Sequence, residues 1–176
     1  MQTTDTVPEQ AGTVIVGAGI VGCNLAYQLT QLGRDDVVVV DQGPMPTTGG
    51  SSTHAPGIMF QTAEPKELSQ FADYSRRVYS DLEGADGQQA YNETGGIEVA
   101  RSEERMDFLQ RRVEHAKACG IDDPEILSRE AVEEQPPLVD PDETLGGYCS
   151  PTDGHLSVVV PCDALPRDAI ARRREF

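Results

Sequence analysis

An α/β fold built on one βαβ unit is predicted by three features of residues 13–41: two short β-branched runs, a glycine-spaced turn after the first, and an acid closing the second. Thr13 to Val16 reads Thr-Val-Ile-Val and can only bury as a strand. Gly17, Gly19 and Gly22 follow at Gly-x-Gly-x-x-Gly spacing between strand and helix, the context that gives this pattern its meaning. Gly17 permits a tight turn, Gly19 lets the backbone approach a pyrophosphate, and Gly22 allows close packing of helix on strand. The first-turn amides around Ile20 and Val21 lack intrahelical acceptors and stand at the positive end of the helix dipole, so a diphosphate is expected to meet free N–H groups there.

Leu25, Ala26, Leu29 and Leu32 recur at helical spacing and are expected to face the sheet, with Gly33 ending the helix. Val37 to Val40 reads as a parallel strand buried on both faces. Asp41 then stands where an acid accepts hydrogen bonds from an adenosine ribose and repels a 2′-phosphate, which disfavours NADP and leaves FAD or NAD.

Met1 to Gly12 is polar, contains Pro8 and lacks an apolar core, so it reads as a loose lead-in and not as a secretory signal. No apolar run approaches a membrane span. The formal charge of −16 opposes binding to nucleic acid or anionic lipid. The run Arg172 to Arg174 reads as a solvated helix end. Cys23, Cys119, Cys149 and Cys162 show no C-x-x-C spacing, so neither a metal site nor a redox dithiol is expected, and a reducing cytoplasm is the expected location.

After Asp41 the chain reads QGPMPTTGGSSTHAPGIMFQT, a long Gly-, Pro-, Ser- and Thr-rich loop leaving the strand end where a bound cofactor would lie. Ser51, Ser52 and Thr53 bring hydroxyls to it, and His54 brings a strong nucleophile or base. A glycine-fingerprint unit ending in Asp-Gln-Gly-Pro and followed by Gly-Gly-Ser-Ser-Thr-His-Ala-Pro-Gly resembles the dimethylglycine oxidase and sarcosine dehydrogenase group of FAD-dependent amine oxidoreductases. The resemblance implies that His54 is joined covalently to the 8α carbon of FAD. It also implies that Ile20, Val21, Asp41, Gln42, Ser51, Ser52, Thr53 and Ile58 contact the cofactor. Where the group commonly has Thr-Ser this chain has Ser52-Thr53, which keeps a hydroxyl at each position.

Beyond the loop, a helix is expected from Glu64, with Leu68, Phe71, Ala72, Ser75, Val78, Tyr79 and Leu82 as its packing stripe and Gly84 at its end; Tyr74 and Tyr79 read as packing residues. Ala85 to Gly96 reads as a turn-rich connection and Ile97 to Ala100 as a strand. Ser102 is placed to cap a helix that buries Met106, Leu109, Val113 and Ala116 and stops at Gly120. Glu114 and His115 read as surface residues. Ser128 opens a short acidic helix ended by Pro136-Pro137, Leu145 to Cys149 reads as a strand, and Pro151 to Gly154 as a turn. A last helix carries Pro161, acceptable in a first turn, and Pro166, which inside a helix costs about 3 kcal/mol.

The expected fold is thus an incomplete FAD-binding, Rossmann-like βαβ unit with added helices and short strands: a lead-in over residues 1–12, then the N-terminal part of an FAD-binding oxidoreductase domain over 13–176, stopping before the third sheet strand. By resemblance the complete protein transfers a hydride equivalent from an N-methyl carbon of dimethylglycine or sarcosine to the flavin, the cofactor supplying reactivity and the protein placement. Its partner is then a small methylated amine, and no substrate-side catalytic residue is identifiable in these 176 residues, which alone are expected to be inactive. The alternatives are a dinucleotide-binding module without catalysis and an inactive truncated product.

Overall fold

The computed structural model describes residues 8–34, 36–135 and 139–173. Residues 1–7 of the lead-in, Pro136 and Pro137, and the stretch from Arg174 to Phe176 lie outside the described residues. In chain order the elements are β1 (Thr13–Val16), α1 (Ile20–Gln31), β2 (Val37–Val40), a 3-10 turn (Ser51–His54), β3 (Ile58–Met59), α2 (Lys66–Ser80), β4 (Tyr91–Glu93), β5 (Gly96–Ala100) and α3 (Glu103–Cys119). There follow β6 (Glu125–Ser128), α4 (Arg129–Glu133), a second 3-10 turn (Pro141–Glu143), β7 (Gly146–Ser150), β8 (Gly154–Leu156) and α5 (Val159–Arg173). The described residues divide into two compact units, one comprising those up to Gly57, Tyr79–Tyr91 and those from Leu156 on, the other Ile58–Val78 and Asn92–His155.

In the first unit β1 and β2 pair in parallel, Thr13 opposite Val37 through Val16 opposite Val40. Ile15 turns its buried side chain toward α1, which packs on α5 through Cys23, Ala26, Cys162, Leu165 and Ala169. The expected stripe is met only in part: Ala26 is buried and Leu29 half-buried, but Leu25 is 47% and Leu32 79% exposed, and Gly22 and Cys23 are buried instead. Small residues let α5 approach closely, and leucines in their place would hold it away. Nor is β2 buried on both faces, because all four of its valines are only half-buried. Gly33, at φ +77°, ends α1 as expected, with the Arg34 amide reaching back to Leu29 O at 2.9 Å.

The last helix contains both prolines. Pro161 lies in the first turn of α5, where no amide is needed, but Pro166 is interior and has no N–H for the carbonyl of Cys162, four residues earlier. That carbonyl has another donor nearby: the Cys23 thiol lies 3.6 Å from it and 3.3 Å from Ala18 O, so its proton is placed between the fingerprint turn and the proline-interrupted helix. Hydrogen bonding to the Cys162 thiol, then burial, push the Cys23 pKa up and keep it a thiol.

The second unit is antiparallel. Strand β7 lies between β5 and β6, Ala100 opposite Gly146 on one side and Ser128 opposite Gly146 on the other. Helix α3 covers this sheet, and Ala100, Leu109, Val113 and Tyr148 form a core to which Met106, Phe108 and Ile126 add partly buried surface. The caps of α3 are those expected: Ser102 Oγ accepts from Arg105 N at 3.2 Å, and Gly120 takes the left-handed conformation at φ +82°. Ser128 likewise caps α4 through Ala131 N, and β6, which runs into it, was not anticipated from sequence. Helix α2 departs from expectation, since Leu68 and Phe71 are exposed and Ser69 is its buried residue. The reason is polar: Ser69 Oγ accepts from Ala63 N and donates to Ala63 O, pinning the chain just before the helix.

Candidate functional site

The candidate site lies in the first unit, at the carboxyl ends of β1 and β2, and is built around the fingerprint glycines. Gly17 has φ +104°, a conformation that favours glycine, and its amide donates to Val40 O at 2.8 Å, extending the pairing of the two strands into the turn. A Cβ at Gly22 would collide with Gly17 O. At Gly19 a Cβ would stand 2.9 Å from Ser52 Oγ, so this glycine makes room for a side chain of the long loop. The first backbone bond of α1 runs from Cys23 N to Gly19 O, leaving the amides before it without intrahelical acceptors.

One of those amides is not free, contrary to the expectation from sequence. Ile20 N donates to Ser52 Oγ at 2.9 Å. An orphan donor takes the nearest acceptor, and the rotating hydroxyl of Ser52 provides one. Val21 follows with its side chain largely exposed.

Asp41 sits at the surface with its carboxylate already oriented: Oδ2 accepts from Ala18 N at 2.7 Å and Oδ1 from Gly43 N at 2.8 Å. Those backbone donors, Ala18 first, lower its pKa below the ordinary carboxylate range. Each oxygen keeps a lone pair for a further donor. The carboxylate borders a cleft of about 300 Å³ lined by Val16, Gly17, Val40, Gln42, Thr48 and Gly50. This is the end of the strands at which open α/β sheets receive ligands.

The loop expected to lack regular structure contains one 3-10 turn at Ser51–His54, gathered on a single carbonyl. Gly50 O accepts from Thr53 N at 3.2 Å, from Thr53 Oγ1 at 2.8 Å and from His54 Nδ1 at 2.9 Å. A carbonyl only accepts, so Nδ1 carries the proton, and in the neutral ring Nε2 holds the lone pair. The imidazole is exposed. Ile58, grouped with these residues by family resemblance, belongs to the second unit, where it faces His155 across the β3 and β8 pair.

Two further sets of residues were not legible as a site. Cys23 and Cys162 are buried within the first unit, and only the glycine spacing hinted that position 23 lies under the turn. In the second unit His115 is not a free surface residue: its Nε2 lies 2.8 Å from Ala63 O and 3.5 Å from Cys119 Sγ. Arg112 beside it donates to Thr62 O at 2.8 Å and stacks over the Tyr148 ring at 5.4 Å. Among the described residues no group of His, Cys, Asp and Glu is disposed to hold a metal ion, and no helix is long and apolar enough to cross a membrane.

The profile of the family described as "FAD dependent oxidoreductase" matches residues 13–175. The chain belongs to that family. It is 33% identical over 152 residues to the mouse mitochondrial pyruvate dehydrogenase phosphatase regulatory subunit, covering 86% of this chain and 17% of the relative. It is 32% identical over 149 residues to rat mitochondrial dimethylglycine dehydrogenase, covering 84% and 17%, and 29% identical over 168 residues to mouse mitochondrial sarcosine dehydrogenase, covering 94% and 18%. The chain thus spans less than a fifth of the length of these relatives. In fold it is similar to L-amino acid deaminase from Proteus vulgaris, with a TM-score of 0.78 at 22% identity over 98% of this chain and 40% of that one. It is also similar to L-alpha-glycerophosphate oxidase from Mycoplasma pneumoniae with FAD bound, with a TM-score of 0.77 at 20% identity over 94% of this chain and 44% of that one.

Proposed function

We propose that this chain is the FAD-holding front part of an oxidoreductase acting on an N-methylated amino acid such as sarcosine or dimethylglycine, with the flavin tethered covalently to His54. The observation that carries the reading is the joint presence, in one unit, of the glycine fingerprint turn, a carboxylate held by two backbone amides at Asp41 and an imidazole anchored to Gly50 O. Bound FAD would supply the two-electron acceptor; the chain would bind and orient it. Gly17, Gly19 and Gly22 clear the backbone for the pyrophosphate, and Val21 and its neighbours offer amides, with Ser52 turning away from Ile20 or sharing its proton. Asp41, anionic at neutral pH, accepts from ribose hydroxyls and repels a 2′-phosphate. Gln42, Ser51, Ser52 and Thr53 complete the polar border. His54 keeps Nδ1 on Gly50 O and leaves the unprotonated Nε2 for the tether.

The relatives named for dimethylglycine and sarcosine support the substrate class. Substrate-facing residues are proposed to lie outside residues 13–175, and a reducing cytoplasm suits the four free cysteines. The relative named as a regulatory subunit supports a second reading, in which the same cradle holds a dinucleotide without turnover. Acid precipitation separates them when followed by an amine assay on the complete protein. Flavin colour retained in the parent precipitate and lost in His54→Ala, with flavin bleaching on addition of sarcosine or dimethylglycine, is expected on the first reading. Bound flavin that no methylated amine reduces would select the second, and colour surviving in His54→Ala would remove the tether.

A further inference from the structure

On α3, Phe108, Arg111, Arg112 and His115 recur at the spacing of one helical face, beside the stripe that buries Leu109, Val113 and Ala116. With Thr62, Ala63 and Glu64 they line a cavity of about 260 Å³ within the second unit. Its walls are held in place by hydrogen bonds: Arg112 fixes Thr62 O, His115 and Ser69 fix Ala63 O, and Thr62 Oγ1 meets the Tyr148 hydroxyl at 2.7 Å.

The charge state of this cavity is unusual for the molecule. The chain carries 30 acids against 14 bases, and in the same unit Arg76, Arg77, Arg101, Arg105 and Arg129 each form an ion pair with a carboxylate. Arg111 and Arg112 form none among the described residues, although Arg112 exerts a longer-range pull on Asp153. Moreover, Arg112 Nε is buried and meets no acceptor among the described residues, which leaves a desolvated cationic donor without a partner. Both arginines line the cavity, and a guanidinium fork matches the planar, multidentate geometry of an oxyanion. Glu64, an exposed residue, is the one acid in the lining.

We propose that this cavity binds a small oxyanion, a carboxylate or a phosphate, through Arg111 and Arg112. The site stands on the second unit alone and does not depend on the flavin reading. The direct test follows the Nε–Hε NMR signals of both arginines in the full chain titrated with inorganic phosphate, acetate and glycine. Saturable shifts at both signals are expected with at least one probe, and phosphate against acetate identifies the source of the oxyanion. Arg111→Gln should weaken that binding about tenfold or more, because a charge-assisted bond is lost. Arg111 is exposed and makes no hydrogen bond or ion pair among the described residues, so this variant should retain the parent circular dichroism. Glu64→Gln should strengthen phosphate and acetate by removing a like charge; if it weakens glycine, the ligand is a zwitterion whose ammonium rests on Glu64. No saturable shift with any of the three probes, or parent affinity in a folded Arg111→Gln, would overturn the proposal.

Discussion

Val16, at the lip of the glycine turn, is 85% exposed, whereas Leu109, at the middle of α3, is fully buried. The contrast holds across the two units. In the first, Val14, Val16, Val21, Leu25 and Leu32 leave apolar surface open on β1 and α1, and the core consists largely of small residues brought together by α1 and α5. In the second, a three-stranded antiparallel sheet closes against α3 over Ala100, Leu109, Val113 and Tyr148. An antiparallel sheet with a helix on one face completes a two-layer core, while a parallel pair needs covering layers on both faces. Most of the stability is therefore expected in the second unit, and cofactor binding in the first.

The sharpest way to break this comparison is a pair of truncations. Leu109→Ala should lower the unfolding free energy of the second unit by roughly 2–5 kcal/mol, through lost burial plus a cavity. Val16→Ala, at an open surface, should stay within about 0.5 kcal/mol of the parent. Urea unfolding followed by hydrogen exchange at α1 and α3 amides would resolve the two, and comparable losses would erase the distinction.

A smaller effect is expected where the first unit depends on a single polar contact. Cys23→Ala removes the thiol beside the Cys162 carbonyl and should cost about 1–3 kcal/mol, the range for an unsatisfied buried group. Pro166→Ala restores an amide to that carbonyl, so the double variant should lose less than the sum of the single changes. Strict additivity in a double-mutant cycle would show that thiol and proline are uncoupled.

The smallest effects concern two aspartates with opposite shifts. Backbone donors led by Ala18 lower the Asp41 pKa in the first unit, so its contribution is present above the ordinary carboxylate pKa and is lost as pH falls through the lowered folded value. Desolvation raises the Asp153 pKa in the second, although Gln61 N and Gln61 Nε2 reach Oδ1 at 2.9 Å and 3.3 Å; its contribution is present at low pH and lost as pH rises through the raised folded value. Asp41→Asn should therefore flatten the acid limb of the stability profile, and Asp153→Asn the decline on the other side. The same limb flattened by both substitutions would contradict the assignment of the two shifts.

What could be read in the sequence was what is settled locally. The glycine turn, the caps at Ser102, Gly120 and Ser128, and the buried stripe of α3 each depend on residues a few positions apart, and all were recovered. Helical periodicity put Ala26 on the packing face of α1 but could not say that α5 would settle beside Cys23 and leave Leu25 and Leu32 outside. The candidate site divided in the same way: Asp41 and His54 were visible from motif context, but the contact from Ser52 to Ile20 joins positions 32 apart. His115 read as a surface residue because its acceptor, Ala63 O, lies 52 positions away, and Arg112, whose acceptor Thr62 O is 50 positions away, was not singled out at all. A cationic pair on a partly buried helical face was the available signal.

Pro166 and Cys23 also constrain the order in which this sequence could have been assembled. A proline arriving at position 166 before a donor stood at position 23 would have left the Cys162 carbonyl bare inside the first unit, whereas the thiol could arrive first and donate to Ala18 O. On this route the cysteine after the third fingerprint glycine is expected to precede the proline. Lineages that retain the proline should hold a hydrogen-bond donor at position 23, and loss of that donor should be found only where the proline has already gone.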